Sequence, residues 1–206
     1  MKKVIFLDRD GVINRFPGNG NYVTKVKDFH FLPGALEALR ELTKKGYVIF
    51  VVSNQAGVGK GIFSKRKLDQ ITKKMLREVR RHGGKIRRVY YSISRSDEGC
   101  EYRKPNIGSI KEAMRILRKR LSYARNAVFV GDTEVDVQTG HNVGCKTIFV
   151  LSGRENHEYL ERKWKVRPHF IARDLREAAR IIDDLHENPR MKRKRLSHLT
   201  TLRAEG

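Results

Sequence analysis

Short apolar runs alternate along the chain with longer stretches in which apolar residues recur every three or four positions. Short runs with many β-branched residues predict buried strands, whereas the longer pattern predicts helices with one apolar face. Strands and helices in alternation are typical of a parallel sheet with helices on both faces. We therefore predict an α/β fold with an open parallel sheet. The predicted strands cover 2–8, 47–52, 86–92, 127–132, 146–151 and 169–172.

Five stretches carry the helical pattern together with residues that begin or end helices. Pro33 stands near the start of the first, Gly46 stands at its end, and Ser64 is placed to cap a long basic helix. No internal repeat is visible, and no second domain of useful size fits between these elements. Any cover over a functional site must therefore be made of loops. The predicted helices cover 33–46, 64–84, 108–121, a short stretch from Thr133, and 174–186.

The composition suits one globular domain followed by a basic tail. With 206 residues, 39% of them hydrophobic, the chain can bury a core of its own. Residues 187–206 are too polar and basic to pack, so we expect a folded domain over 1–186 and a disordered tail. Two cysteines, Cys100 and Cys145, cannot build a disulfide framework, and no apolar run has the length of a signal peptide or a membrane span. We expect a cytoplasmic protein and, in the simplest case, a monomer.

Basic residues far outnumber acidic ones. The chain has 45 Lys and Arg against 23 Asp and Glu, a formal net charge of +22. The last segment, 187–206, contributes six basic and two acidic residues, so +18 remains with the rest of the chain. Such a charge attracts phosphates, nucleic acid or acidic membranes. A general surface bias of the host's proteins, or simple solvation of the basic helix at 64–84, would explain the same composition, and both explanations stay open.

Polar clusters follow four of the predicted strands, at the point where each strand ends. Asp8 and Asp10 follow the first strand, and "SNQ" at 53–55 follows the second. "YRKP" at 102–105 comes after the third, and "GDTEVD" at 131–136 comes at the end of the fourth. In an open parallel sheet, ligands gather at the carboxyl ends of the strands. One such cluster is weak evidence for a site, but four of matching chemistry are much stronger.

The residue types in these clusters fit phosphoryl transfer. Asp8 and Asp132 offer the hard oxygen ligands that Mg²⁺ prefers. One aspartate can attack phosphorus to form an aspartyl-phosphate, while Asp10 protonates the leaving oxygen and then deprotonates a water molecule. Ser53 and Lys104 would hold the phosphoryl oxygens and stabilise the charge of the transition state. The clusters therefore predict a phosphatase.

The four clusters also resemble the four motifs of the haloacid dehalogenase (HAD) superfamily of phosphatases. "FLDRDGVIN", "VVSNQAGVGKG", "YRKPNIG" and "VGDTEVDVQTGHNVG" are similar to the D-glycero-D-manno-heptose 1,7-bisphosphate phosphatases and the histidinol-phosphate phosphatases. The resemblance covers roughly residues 1–180. It implies a Rossmann-like, three-layer HAD fold with a mainly parallel central sheet, no large cap domain and a requirement for Mg²⁺.

The resemblance also implies a role for individual residues. Asp8 would be the nucleophile and Asp10 the general acid and base. Magnesium would be held by Asp8, Asp132 and the main-chain carbonyl of Asp10. Ser53 and Lys104 would bind the transferred phosphate. The remaining substrate contacts would come from Asn54, Gln55 and Arg103.

One departure from the resembled family concerns zinc. Members commonly carry a Cys-x-His pair and a Cys-x-Cys pair in a zinc loop before the lysine motif. Here Ser92 and Ser94 stand at the first pair, and Cys100 and Tyr102 stand at the second. One thiol does not make a tetrahedral zinc site. We expect no zinc, and the changed loop leaves the substrate open.

Several functional alternatives therefore remain. The first is a phosphatase for a small sugar phosphate such as a heptose 1,7-bisphosphate, and histidinol phosphate is a second substrate of the same class. A nucleic-acid 3′-end phosphatase would suit the basic charge, and a binding protein without activity is a third class. Asp136 either supports the site or is a plain carboxylate on the surface of a helix.

Overall fold

A computed structural model of the chain describes residues 3–95, 97–154 and 164–187. Its strands are β1 (Val4–Leu7), β2 (Val48–Asn54), β3 (Ile86–Ser92), β4 (Val128–Gly131), β5 (Lys146–Val150) and β6 (Phe170–Ala172). They form one sheet in the order β3-β2-β1-β4-β5-β6. Every neighbouring pair is parallel, which confirms the predicted α/β fold.

Helices cover both faces of the sheet and complete three layers. They are α1 (Ala35–Lys44), α2 (Ala56–Gly59), α3 (Lys65–Arg81), α4 (Gly108–Ile116), α5 (Glu134–Asn142) and α6 (Leu175–Glu187), with short 3₁₀ helices at Val26–Asp28 and Leu121–Asn126. Leu39, Met75 and Ile182, from α1, α3 and α6, belong to one buried cluster with one face of the sheet. Met114 of α4 packs with Phe6 on the other face. Burial of these amphipathic faces stabilises the layered arrangement.

Several element boundaries differ by one to a few residues from the sequence-based expectation, among them the ends of β2 and α4. Strand β2 continues to Asn54, so Ser53 and Asn54 belong to the strand rather than following it. Helix α4 ends at Ile116, whereas the pattern predicted helix to 121. Arg118 has a φ of 55°, in the left-handed region, and the Lys119 N–H donates to the Met114 carbonyl. The apolar spacing continues past this turn, so periodicity alone could not reveal it.

The described ranges contain no large cap domain. The carboxyl edge of the sheet is bordered instead by loop residues, among them Phe16 to Tyr22. In the same ranges no helix has the length and apolar character needed to cross a membrane. The predicted tail, 187–206, lies outside the described residues except for Glu187, which ends α6.

His169, just before β6, is held in its neutral form. The Thr147 backbone N–H donates to its Nδ1 at 3.2 Å, and the Thr147 hydroxyl lies 2.9 Å from the same atom. The ring stacks on His141 with 4.9 Å between centroids. Burial, with smaller contributions from Lys146 and His141, lowers the pKa of His169 from 6.5 to about 4. Between pH 6.5 and pH 4 the unfolded chain binds a proton at His169 that the folded state does not bind. The free energy of unfolding therefore decreases as the pH falls through this range.

We expect His169→Gln to flatten this dependence, because the substituted side chain does not titrate. After a discount for the partial exposure of the ring, the variant should lose about 1–2 kcal/mol less stability than wild type between pH 7 and pH 4. Urea denaturation across this range measures the difference. His30→Gln, at an exposed position, is the control. Superimposable pH profiles for wild type and His169→Gln would contradict the assignment.

Candidate active site

A pocket of about 280 Å³ opens at the carboxyl edge of the sheet. Seven of the eight site residues predicted from the sequence line it: Asp8, Asp10, Ser53, Asn54, Arg103, Lys104 and Asp132. The eighth, Gln55, is 1% exposed, and its Nε2 donates a hydrogen bond to Asp10 Oδ2. The structure therefore brings the predicted residues together at one pocket, at the edge where the strands end.

Strand register explains why residues far apart in sequence meet here. Leu7 of β1 pairs with Val51 of β2 and with Val130 of β4. Asp8 directly follows the end of β1, and its N–H donates to the Val130 carbonyl at 2.9 Å. Ser53 and Asp132 each come two residues beyond the Leu7 partners. The ends of three neighbouring parallel strands thus place polar residues at nearly the same height along the strand direction.

Lys104 is the buried cation of the pocket. Its Nζ lies 2.6 Å from Asp136 Oδ1 and 2.8 Å from Asp8 Oδ1. The first contact is a hydrogen bond, whereas the second is an ion pair without hydrogen-bond geometry. Burial would lower the pKa of Lys104, but Asp136 and Asp8 raise it above its ordinary value. The ammonium group therefore stays charged.

Asn54 fixes the loop that carries this lysine. Its side-chain NH₂ donates to the Lys104 carbonyl at 3.2 Å, and its side-chain carbonyl accepts from the Lys104 N–H at 3.0 Å. These two bonds tie the end of β2 to the lysine motif. A residue predicted to touch substrate is thus also part of the frame that positions Lys104.

The carboxyl groups of the pocket are crowded and poorly solvated. Burial raises the pKa of Asp8 to about 6, against the lowering effect of Lys104 and with smaller increases from Asp136 and Asp10. Burial, followed by the charges of Asp8 and Asp136, also raises the pKa of Asp132 well above its ordinary value. A cation placed among these groups would favour their charged forms.

The donor set fits a magnesium ion. Ligand oxygens of Asp8, Asp132 and Asp136 lie within 4.8 Å of one another, and all three residues are buried. Oδ1 of Asp136 already accepts from Lys104, and its Oδ2 accepts from the Thr133 N–H and hydroxyl at 3.1 and 2.6 Å. Asp8 and Asp132 are therefore the better placed ligands. Asp136 is 1% exposed, so it supports the site and is not a surface carboxylate.

Two glycines leave space for the carboxyl group of Asp132. A Cβ atom at Gly11 or at Gly153 would overlap the Asp132 carboxyl group. Gly11 also has a φ of 81°, which other residues adopt at a cost. The Arg154 N–H donates to Asp132 Oδ2 at 2.7 Å. The close approach of backbone to carboxylate thus requires glycine on both sides.

Asp10 is held from several directions by groups that donate hydrogen bonds. Arg9 Nη2 lies 3.0 Å from each of its carboxylate oxygens. Asn14 Nδ2 donates to Oδ1 at 2.8 Å, and Gln55 Nε2 donates to Oδ2 at 2.7 Å. The side chain is still 18% exposed and faces the pocket. The Asp10 carboxylate is therefore held in one position but stays accessible from the pocket.

Arg9, between the two aspartates that follow β1, is buried, and nothing about it was predicted from the sequence. It has no exposed surface, and its guanidinium lies 5.6 Å from the centre of the Tyr91 ring on β3. Burial would lower the pKa of Arg9, but Asp10 raises it. Arg9 and Asp10 thus depend on each other, since either charge alone would be costly at this depth.

Part of the pocket wall was not predicted from the sequence. The loop from Phe16 to Tyr22 contributes most of the missed surface, and Arg154 contributes a further cation. Arg154 Nε donates to Asn19 Oδ1 at 3.1 Å. Arg154 comes just after β5, so extending the strand-end rule to the fifth strand would have found it. The loop carried no comparable signal.

The segment with the changed zinc positions lies beside the pocket. Ser92 donates a hydrogen bond to Cys100 Sγ at 3.6 Å, and Arg103 donates to the Ser94 carbonyl at 3.2 Å. Hydrogen bonds from Ser94 and Ser92 lower the pKa of the Cys100 thiol. These contacts position Arg103 at the pocket. The absence of zinc at this loop stays a prediction.

Comparison with known proteins agrees with this geometry. A family model described as HAD-hydrolase-like matches residues 101–178. The chain is 31% identical over 163 residues to the D-glycero-alpha-D-manno-heptose-1,7-bisphosphate 7-phosphatase of Campylobacter jejuni, covering 79% of this chain and 90% of that protein. It is 34% identical over 152 residues to the D-glycero-beta-D-manno-heptose-1,7-bisphosphate 7-phosphatase of Neisseria meningitidis, covering 74% of this chain and 79% of that protein.

A solved structure gives the same answer for the fold. The D,D-heptose 1,7-bisphosphate phosphatase from B. bronchiseptica, complexed with magnesium and phosphate, superimposes with a TM-score of 0.80 at 29% identity. The match covers 91% of this chain and 99% of that chain. Sequence, fold and pocket agree, and we conclude that this chain is a phosphatase of the HAD superfamily, in the family of the D-glycero-D-manno-heptose-1,7-bisphosphate 7-phosphatases.

Proposed function

We propose that the chain is a Mg²⁺-dependent phosphomonoester hydrolase that works through an aspartyl-phosphate on Asp8, and that its substrate is a heptose 1,7-bisphosphate. The observation that carries the proposal is the position of Asp8. It stands at the end of the central strand β1, beside the buried ammonium of Lys104 and within 4.8 Å of a ligand oxygen of Asp132. A carboxylate nucleophile, a cation and a metal ligand meet there at one pocket.

The chemistry follows in two displacements. An Asp8 oxygen attacks phosphorus, the bond from phosphorus to the sugar oxygen breaks, and Asp10 donates a proton to that oxygen. Asp10 then takes a proton from a water molecule, whose oxygen attacks phosphorus and releases inorganic phosphate and free Asp8. Ser53 and Lys104 bind the phosphoryl oxygens in both steps. Magnesium held by Asp8 and Asp132 would neutralise the negative charge of the phosphoryl group.

Substrate size and charge support a small sugar carrying two phosphates. The pocket volume of about 280 Å³ suits a metabolite, and Arg103 and Arg154 add cations to its wall beyond Lys104. An arginine fork at the wall is suited to a second phosphate group. The relatives compared above are heptose-1,7-bisphosphate 7-phosphatases. The two unbridged cysteines suit a reducing compartment, and we place the reaction in the cytoplasm.

Phosphate release from a substrate panel tests the proposal. The panel contains both anomers of D-glycero-D-manno-heptose 1,7-bisphosphate, histidinol phosphate and a 3′-phosphorylated oligonucleotide, each with Mg²⁺ and with EDTA. We expect the highest kcat/KM for a heptose bisphosphate, release of the 7-phosphate, and loss of activity in EDTA that Mg²⁺ restores. A higher kcat/KM for histidinol phosphate or for the oligonucleotide would contradict the substrate, and full activity in EDTA would contradict the metal requirement.

A further inference from the structure

The positive charge of this chain is concentrated in one segment, which includes the edge strand β3. Residues 60–125 contain 21 Lys and Arg against six Asp and Glu, which is +15 of the total +22. They include α3, β3, α4 and the second 3₁₀ helix, and β3 is an edge strand. Residues 164–187, which include β6 and α6 at the opposite edge, contain five basic and five acidic residues. A general bias of the host's proteins would charge both edges, so the asymmetry calls for a specific cause.

Helix α3 presents a straight row of cations at this edge. Arg66, Lys73 and Arg80 are seven residues apart, which places them on one side of the helix. All three are exposed, and no acidic group within the described ranges lies at ion-pair distance from them. The apolar residues of the helix, such as Met75, are buried in the core. The outward side of α3 therefore carries a row of exposed cations, beside which the exposed carboxylate of Asp69 pairs with Lys65.

The cationic surface continues around the edge strand. Arg87 of β3 is exposed and lies where the register between β2 and β3 shifts. Arg88, the next residue, is also exposed, and its guanidinium lies 5.6 Å from the centre of the Tyr90 ring. We name the surface formed by Arg66, Lys73, Arg80, Arg87 and Arg88 the basic edge.

We propose that the basic edge binds nucleic acid through its phosphodiester backbone, without reading the base sequence. The 17 residues of α3 span about 25 Å, which is long enough to follow several successive phosphates. Guanidinium and ammonium groups supply such contacts, and contacts to phosphates carry no sequence information. A single metabolite would occupy only a small part of this surface. The inference stands independently of the sugar substrate proposed above.

Insertion into a membrane surface fits the basic edge less well. A helix that lies in a membrane interface exposes an apolar face beside its cations. In α3 the residues Leu68, Ile71, Met75 and Val79 fill the core instead. The exposed large apolar side chains of the described ranges, Val26, Ile62, Tyr102 and Val135, all lie outside α3 and β3. The phosphates of a nucleic-acid backbone are therefore favoured over a membrane surface as the partner of the basic edge.

Two charge-reversal variants of the full chain separate the basic edge from net charge. The first carries Lys73→Glu, Arg80→Glu and Arg87→Glu. The matched control carries Lys165→Glu, Arg176→Glu and Arg180→Glu at the opposite edge, where these side chains are also exposed. Both variants change the net charge equally and keep residues 187–206. Binding of a fluorescent 20-nucleotide single strand of mixed sequence is measured by anisotropy from 25 to 300 mM salt.

We expect wild type to bind the oligonucleotide with a steep salt dependence. The first variant should bind at least about tenfold more weakly at low salt, with its log–log salt slope reduced by about 2, whereas the control should change affinity less than about threefold. Hydrolysis of a small phosphate ester should be unchanged in both variants, which verifies folding. Equal losses in the two variants, or no salt-dependent binding by wild type, would overturn the proposal. Preferential binding of wild type to phosphatidylserine vesicles over the oligonucleotide would also overturn it.

Discussion

Replacing Asp8 by asparagine will lower kcat for an aryl phosphate by at least about 10⁴-fold. An amide oxygen is a poor nucleophile and a weak magnesium ligand, so both proposed roles of Asp8 are lost together. Lys104 still has Asp136 at 2.6 Å in this variant, so its buried ammonium keeps a partner. The loss of activity can therefore be assigned to chemistry rather than to unfolding.

The measurement is phosphate release from p-nitrophenyl phosphate in Mg²⁺, with thermal denaturation of each variant beside it. Asp69→Asn is the matched control, because Asp69 is an exposed carboxylate on α3 that pairs only loosely with Lys65 at 3.4 Å. The control should keep wild-type activity. Wild-type activity in Asp8→Asn would show that another residue attacks phosphorus.

Replacing Lys104 by methionine will damage both stability and catalysis. The substitution leaves Asp8 and Asp136 buried without their shared cation, which we expect to cost about 3–5 kcal/mol of folding free energy. It also removes a positive charge from the phosphoryl transition state, which should lower kcat by about 10²–10³-fold. Lys104 lowers the pKa of Asp8, so in its absence that pKa rises and the remaining activity should require a higher pH.

Urea denaturation and a pH–rate profile measure these effects. Lys111→Met is the control, because Lys111 forms only an exposed ion pair with Glu101 at 3.1 Å, which contributes little to stability. A Lys104→Met protein with wild-type stability and an unshifted pH–rate profile would contradict the role of Lys104 as the shared cation of the pocket.

The strands and the pocket could be predicted because their signals are local. Asp8, Ser53 and Asp132 each follow a short apolar run, and parallel register brings the ends of such runs to one edge. The burial of Asp136 is a tertiary effect, since it depends on Lys104 reaching it from a loop 32 residues away. Its position on a helix could not distinguish a supporting residue from a surface one.

The burial of Arg9 could not be predicted from the sequence. A charged residue between Asp8 and Asp10 has no apolar pattern that predicts burial. Its depth depends on Tyr91 from β3 and on the way the Asp10 carboxylate accepts from it, both of which are set by packing across the sheet. Gln55 is similar, because the strand end predicted substrate contact while the fold turned its amide towards Asp10.

The proposed mechanism depends on transfer of the phosphoryl group to Asp8. Trapping the aspartyl-phosphate on Asp8 tests it most directly. An Asp10→Asn variant retains Asp8 but lacks the proposed base for the second step, so aspartyl-phosphate should accumulate with p-nitrophenyl phosphate, whose leaving group needs little protonation. Borohydride reduces an acyl phosphate to an alcohol, which converts aspartate to homoserine. Tandem mass spectrometry of the variant quenched during turnover should find homoserine at position 8. An unmodified Asp8 in a sample that turns over, or reduction at a different carboxylate, would contradict the account.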